Sequence, residues 1–266
     1  MSRDSVVLYA DMMGFGSLVE SYPDLGSLTP DMLEALSPTS ASETYALNPA
    51  GRHPLVGKLG TFHKALASHL GYAQASHTLL FSDSCFMVFE DYVPAFQTAQ
   101  GLMNHLLRAA VPVRMGLAAG TFVAGTLTSS TSPSAALHVA QFFGTAVVRA
   151  HRAERVDIPG FRAFIHPSLR PEAWEHFMVK HAHIPLEAAS ADAVREINYV
   201  GLGSGTIGMS VSEMGRIVPV MEELKRTAPP GAHRHYDSTV IAMKRMYNYS
   251  LGKHGTPIPE DLSAPW

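Results

Sequence analysis

One cysteine, Cys85, stands in a chain of 266 residues. It excludes an internal disulfide and leaves no cysteine cluster for zinc. A lone thiol between apolar neighbours is expected to pack as a small apolar residue. Charge is scarce as well, at 16% of residues and a net −3. That leaves no basic stripe of the kind nucleic-acid binders carry, and there is no polyacidic tail. No apolar run approaches the ~20 residues of a membrane span. Met1-Ser2-Arg3-Asp4 lacks the basic and apolar regions of a signal peptide. The expectation is a soluble, cytoplasmic protein with neither a nucleic-acid nor a membrane partner. Apolar residues are plentiful: 46% of the chain is hydrophobic, enough for a sizeable core.

The run Val6-Val7-Leu8-Tyr9-Ala10-Asp11-Met12-Met13-Gly14-Phe15 reads as a buried central strand that leaves the sheet at an acid. Residues 16–22 start a short helix. From 23 to about 54 the chain is rich in loop chemistry, and an irregular insertion, or lid, is expected there. Tyr45, Arg52 and His53 lie in it. A helix follows over 55–70, then a strand at 78–81. Ser82-Asp83-Ser84 makes a tight turn into a strand at 85–89, giving a hairpin with an acid at its tip. A helix over 92–110 precedes strands at 111–120 and 121–125. Residues 129–134 read as a polar loop and 135–153 as a helix broken at Gly144. Strands at 161–165 and 197–200 and helices over 210–225 and 237–251 complete the chain. Met243, Met246, Tyr247 and Tyr249 form a stripe suited to a core or an interface. No internal repeat or linker is visible. One domain over 1–200, with a helical appendage over 201–266 packed on it, is expected.

Asp11 and Asp83 each close an apolar strand. If those strands are neighbours, the carboxylates sit side by side and repel unless a cation lies between them. Two-metal phosphoryl chemistry needs such a pair to hold ions against a polyphosphate. The bland alternative is two turn acids at strand ends. Arg152 lies two turns beyond Gly144 on a helix, where an arginine can steady charge on a transferring phosphoryl group or can simply be solvated. His181-Ala182-His183 and His233-Arg234-His235 lack a third ligand at a recognised spacing and are read as ordinary histidines.

In this order, these pieces resemble class III nucleotidyl cyclases. Asp11-Met12-Met13-Gly14-Phe15 is similar to the family's D-[hydrophobic]-x-G-F, and Ser82-Asp83 to its hairpin Gly-Asp. The stretch from Arg114 through Gly116 and Gly120 to Gly125 is similar to its R-hydrophobic-G-hydrophobic-x-x-G…G. Gly144 to Arg152 is similar to its G-x-x-V-N-x-A-x-R. The resemblance covers roughly residues 5–167. It implies an α+β fold with a ferredoxin-like βαββαβ core, added strands and C-terminal helices, working as a homodimer with shared sites. It also implies two divalent ions, Mn²⁺ or Mg²⁺, on Asp11, Asp83 and the Met12 carbonyl. Phosphates would lie near Gly14 and Phe15, and Arg152 would come from the other subunit.

The departures bear on substrate. Val148 stands where the family has its transition-state asparagine, and the neighbouring Arg149 is a candidate substitute. Leu79 and Gln141 stand at the two purine-reading positions. An apolar residue and an amide do not reproduce an adenine or guanine code, whereas the amide can pair with a pyrimidine edge. In this the chain resembles the bacterial pyrimidine cyclases of Pycsar anti-phage signalling. That resemblance implies cyclic UMP, or cyclic CMP, made for a separate effector protein, with UTP favoured over CTP. The alternatives are an adenylate or guanylate cyclase, and an inactive cyclase-like module that binds nucleotide.

Overall fold

Strand β1 (Asp4–Met12) lies inside a seven-stranded sheet and is buried on both faces, which is why its sequence is a continuous apolar run. The computed structural model describes residues 4–22, 54–132, 135–169, 183–184, 194–200 and 211–253. After β1 come α1 (Phe15–Glu20), α2 (Pro54–Ala73), β2 (His77–Leu80), β3 (Ser84–Phe89), α3 (Tyr92–Arg108) and β4 (Val113–Thr121). Next are β5 (Val123–Ser132), β6 (Ala135–Phe143), α4 (Thr145–Glu154), β7 (Ala163–Ile165), β8 (His183–Ile184) and β9 (Arg195–Ile197). Helices α5 (Val211–Thr227) and α6 (His233–Lys253) follow, with a 3-10 turn at Pro230–Ala232 between them.

The sheet order is β2-β3-β1-β4-β7-β9-β8. Its first four strands pair antiparallel, and with α1–α2 and α3 as connections they make a ferredoxin-like βαββαβ unit. The fold is therefore α+β. Alternation along β1 divides two layers. Val6, Leu8, Ala10 and Met12 join the main core with Phe62 and Leu66 of α2 and with Phe96, Leu102 and Met103 of α3. Val7 and Tyr9 face the other way, where Phe86, Val88 and Ala118 meet Ala146 and Ala150 of α4.

The C-terminal helices pack into the same main core, through Met214, Ile217 and Met221 of α5 and Met243, Met246 and Tyr247 of α6. A buried ion cluster ties α6 to the sheet. Arg162 donates from Nε to Glu196 Oε1 at 2.5 Å, and Arg245 of α6 bonds the other carboxylate oxygen. Glu196 is fully buried.

One expectation is overturned. Residues 129–132 of the expected polar loop and residues 135–143 of the expected helix are instead strands paired with one another, with Val123 opposite Phe143 and Gly125 opposite Gln141. Helix begins only at Thr145. Ala135, Ala136 and Leu137 favour helix in isolation, but pairing with β5 overrides a preference of a few tenths of a kcal/mol per residue. The insertion over 23–53, with Tyr45, Arg52 and His53, lies outside the described residues, as do His181 and Tyr249's side chain.

Candidate active site

Asp11 lies at the exit of β1 on the layer that carries Tyr9. In the sheet it is opposite Ser84 on β3 and Arg114 on β4. The Met12 N–H donates to the Asp83 carbonyl at 2.8 Å, so the two acid-bearing segments are stitched through the main chain. The hairpin tip is closed by the Phe81 N–H donating to the Ser84 carbonyl at 2.8 Å. Ser82 Oγ donates to Asp83 Oδ1 at 3.0 Å, and His63 Nε2 of α2 bonds the Ser82 carbonyl at 2.8 Å. The strand that Asp83 closes, β2, is not itself a neighbour of β1: β3, which begins just after Asp83, lies between them, and it is the hairpin turn that meets the end of β1.

Burial pushes the Asp11 carboxyl above its ordinary value, and the Asp83 charge adds to the rise. A hydrogen bond from the Tyr9 hydroxyl, 3.2 Å from Oδ1, and the charges of Arg155 and Arg114 oppose it. Burial and the Asp11 charge in turn keep the Tyr9 hydroxyl protonated, so it remains a donor. Its ring stacks on Phe86 at 4.5 Å. A divalent cation beside the Asp11 carboxylate would favour its ionised form. The donors are all hard oxygens, which suits Mg²⁺ or Mn²⁺. Among the described residues, no group of three or more His, Cys, Asp or Glu side chains is placed to hold a metal. Asp11 and Asp83 would therefore need main-chain and phosphate oxygens to complete a coordination shell. Gly14 follows in the left-handed region at φ 74°, a turn that costs other residues roughly 1–2 kcal/mol, and Phe15 opens α1 behind it.

Arg114 sits on the same layer and is buried. Its Nε donates to the Glu154 carbonyl at 3.0 Å, Nη1 to that of Ile158 at 2.7 Å and Nη2 to that of Val156 at 2.9 Å. The Glu154 carboxylate lies 3.3 Å from Nε. Burial raises the Glu154 carboxyl and Arg114 lowers it. One guanidinium thus collects the carbonyls at the C-terminal end of α4. At the other end, Thr121 N–H donates to Thr145 Oγ1 at 3.0 Å, and Thr145 N–H donates to Thr121 Oγ1 at 3.1 Å. Between these anchors Gly116 lets the helix rest on β4: a Cβ there would stand 1.9 Å from the Ala150 carbonyl oxygen.

The remaining side chains of α4 differ in what they meet. Arg149 Nη1 donates to the Ala119 carbonyl at 3.0 Å. Val148 is 49% exposed, and Arg152, one turn on, is exposed too. The His151 ring lies 5.4 Å from Tyr9. Arg152 is one residue, about 100°, further round. Burial lowers His166, and the charges of Arg149 and Arg152 lower it further. Within one chain, then, a main-chain bond joins the segments that carry Asp11 and Asp83, and Arg152 stands exposed on α4.

Leu79 on β2 is half-buried against the second-layer cluster, and Phe142 of β6 packs on the same cluster. The Phe142 ring lies 5.3 Å from Phe86 and 5.9 Å from Phe81. Gln141, next to Phe142, is exposed. Leu79 therefore borders an aromatic patch of Phe81, Phe86 and Phe142, of which Phe81 is 44% exposed, while Gln141 and the 61% exposed Phe143 alternate with Phe142 along β6.

Tyr9, His63 and Glu154 were missed by the sequence argument, and Arg114 entered it only as a motif letter. Tyr9 had a signal: it is two residues before Asp11 on a strand, so both share a face. His63 and Glu154 reach the site only through the tertiary fold.

No protein-family model matches the chain, and no curated protein does. Solved structures are similar in fold. A bacterial light-regulated adenylyl cyclase aligns at 15% identity and a TM-score of 0.49, over 75% of this chain and 92% of that one. The guanylyl cyclase Cya2 aligns at 14% and 0.46, over 77% and 98%. The adenylyl cyclase CyaB from P. aeruginosa aligns at 15% and 0.45, over 74% and 94%. Likeness at this level says nothing about the reaction, and the chemistry rests on this chain's own residues.

Proposed function

We propose that the chain is a nucleotidyl cyclase that closes a pyrimidine nucleoside triphosphate, UTP in preference to CTP, to its 3′,5′-cyclic monophosphate. The observation that carries the reading is the placement of Asp11 beside Asp83, linked through the Met12–Asp83 main-chain bond. Asp11, Asp83 and the Met12 carbonyl would hold two Mn²⁺ or Mg²⁺ ions. Such ions lower the proton affinity of a 3′-hydroxyl and neutralise charge on the phosphates. Tyr9 orients the Asp11 carboxylate through its hydroxyl. Gly14 and Phe15 turn the chain beside the phosphates. The 3′-oxygen bonds to the α-phosphorus, the bond from the α-phosphorus to the bridging oxygen breaks, and pyrophosphate leaves. The hydroxyl proton passes to water.

Arg152 is exposed, which supports a homodimer in which each copy lends this guanidinium to the other. The exposed Phe81, Phe143 and Val148 provide apolar surface for such a contact. Arg149 would need to leave the Ala119 carbonyl to replace the absent asparagine. Leu79 and Gln141 would read the base, Leu79 by packing and Gln141 by an amide that can both donate and accept. The product would be a messenger for a separate effector in anti-phage defence. No helix among the described residues is long and apolar enough to cross a membrane.

The test is incubation of the purified chain with all four ribonucleoside triphosphates and Mn²⁺, with the products resolved. Cyclic UMP or cyclic CMP is expected. Cyclic AMP or cyclic GMP alone would replace the pyrimidine reading with a purine one. No cyclic product, with nucleotide still bound, would leave a binding module, the reading that Val148 favours. Asp11→Ala and Asp83→Ala are each expected to abolish product.

A further inference from the structure

Next to the acid pair, and outside it, lies a pocket of about 450 Å³. Its walls come from three separate parts of the chain. Met13 belongs to the turn after β1, residues 154–159 run on from the last residue of α4, and Arg234 and His235 stand in the first turn of α6. The charges inside are unequally engaged. Arg114 is committed to main-chain carbonyls and to Glu154. Arg155 and Arg234 are exposed, and among the described residues neither guanidinium has a hydrogen-bond or ion-pair partner. The remaining carboxylate of the wall is Asp157. His235 accepts the Gly160 N–H at Nδ1, 3.1 Å away, so its ring proton sits on Nε2 as a further donor.

We infer that this pocket binds an oligophosphate, of the size of pyrophosphate, between the guanidiniums of Arg155 and Arg234. Guanidinium forks match phosphate oxygens two at a time, and two of them facing one cavity suit a group with several such oxygens. The volume lies within the range of small-ligand sites, roughly 300–1,000 Å³. Met13 is two residues from Asp11, so the pocket adjoins the place where a nucleotide held at the acids would carry its terminal phosphates. The source of the phosphate rests on the cyclase reading, whereas the pocket itself does not. The C-terminal helix, on this inference, supplies part of the site rather than only packing behind it.

The experiment is calorimetric titration of the full chain with inorganic pyrophosphate in the absence of metal, then again with UTP present. Binding is expected, weakening with added salt. Arg155→Gln and Arg234→Glu are each expected to weaken it about tenfold, which is about 1.4 kcal/mol. An acid in the first turn suits a helix N-terminus, so Arg234→Glu should leave α6 intact, and circular dichroism checks this. Competition by UTP would mark the nucleotide's own phosphates as the occupant, and independent binding would mark free inorganic phosphates; both support the pocket. It is overturned if the wild type does not bind, or if both variants bind within about twofold of it. Cyclisation with unchanged pyrophosphate binding in the variants sinks the pocket alone. Pyrophosphate binding lost in the variants, with no cyclic product from the wild type, sinks the cyclase reading alone.

Discussion

Gly116 shows how little room the second layer leaves. With a Cβ 1.9 Å from the Ala150 carbonyl oxygen, neither β4 nor α4 can stay where it is. Gly116→Ala is expected to cost about 1–3 kcal/mol, read as a lower urea midpoint at unchanged slope. An unchanged midpoint would mean that the helix does not rest on the strand. The acids at this scale were legible from sequence, because an apolar run that ends in a carboxylate and a tight-turn carboxylate between two strands are local patterns. The partners of those acids were not. Arg114 and Glu154 are 40 residues apart, and nothing near either one announces the other.

Helix α4 is held at both ends by β4, through Thr121–Thr145 at its start and Arg114 at its finish. Arg114→Lys replaces a fork that spans several carbonyls with a single ammonium. Amide protection across α4 is then expected to fall about tenfold in hydrogen exchange, while β1 keeps its protection. Equal loss in both elements would instead indicate global destabilisation. Arg114→Ala, which also strands the buried Glu154 carboxyl, is expected to cost about 3 kcal/mol in chemical denaturation. Elements with clear periodicity, such as α2 and α3, were readable from sequence to within a few residues. Strand β6 was not, because Ala135, Ala136 and Ala140 carry helix preference and only the pairing with β5 decides against it.

For the whole molecule, burial lowers His105, His151, His166 and His235 below the ordinary 6.5. Between those lowered values and pH 6.5 the unfolded chain binds more protons than the folded one. Stability therefore falls as pH drops through that window. The denaturation midpoint is expected to be lower at pH 5.5 than at pH 7, and His235→Gln should flatten the slope. A midpoint that holds or rises would contradict this. The two-copy arrangement is testable at the same scale. Mixing Asp83→Ala chains with Arg152→Ala chains should restore part of the activity that each lacks alone, because one mixed site keeps both acids and the arginine. Verified heterodimers without rescue would place each site within one chain. Sequence supported a dimer only by resemblance, and no local pattern could have shown which side of α4 Arg152 takes.

The buried cluster around Glu196 also has a consequence in time. Arg245 is made 49 residues after the carboxylate it neutralises. As the chain emerges, β9 can pair with β7 while Glu196 has only Arg162 for company. The ferredoxin-like half, complete by β4, has no such wait. Assembly should thus proceed from the acid-bearing strands outward, and the far strands of the sheet settle only when α6 arrives with its arginine.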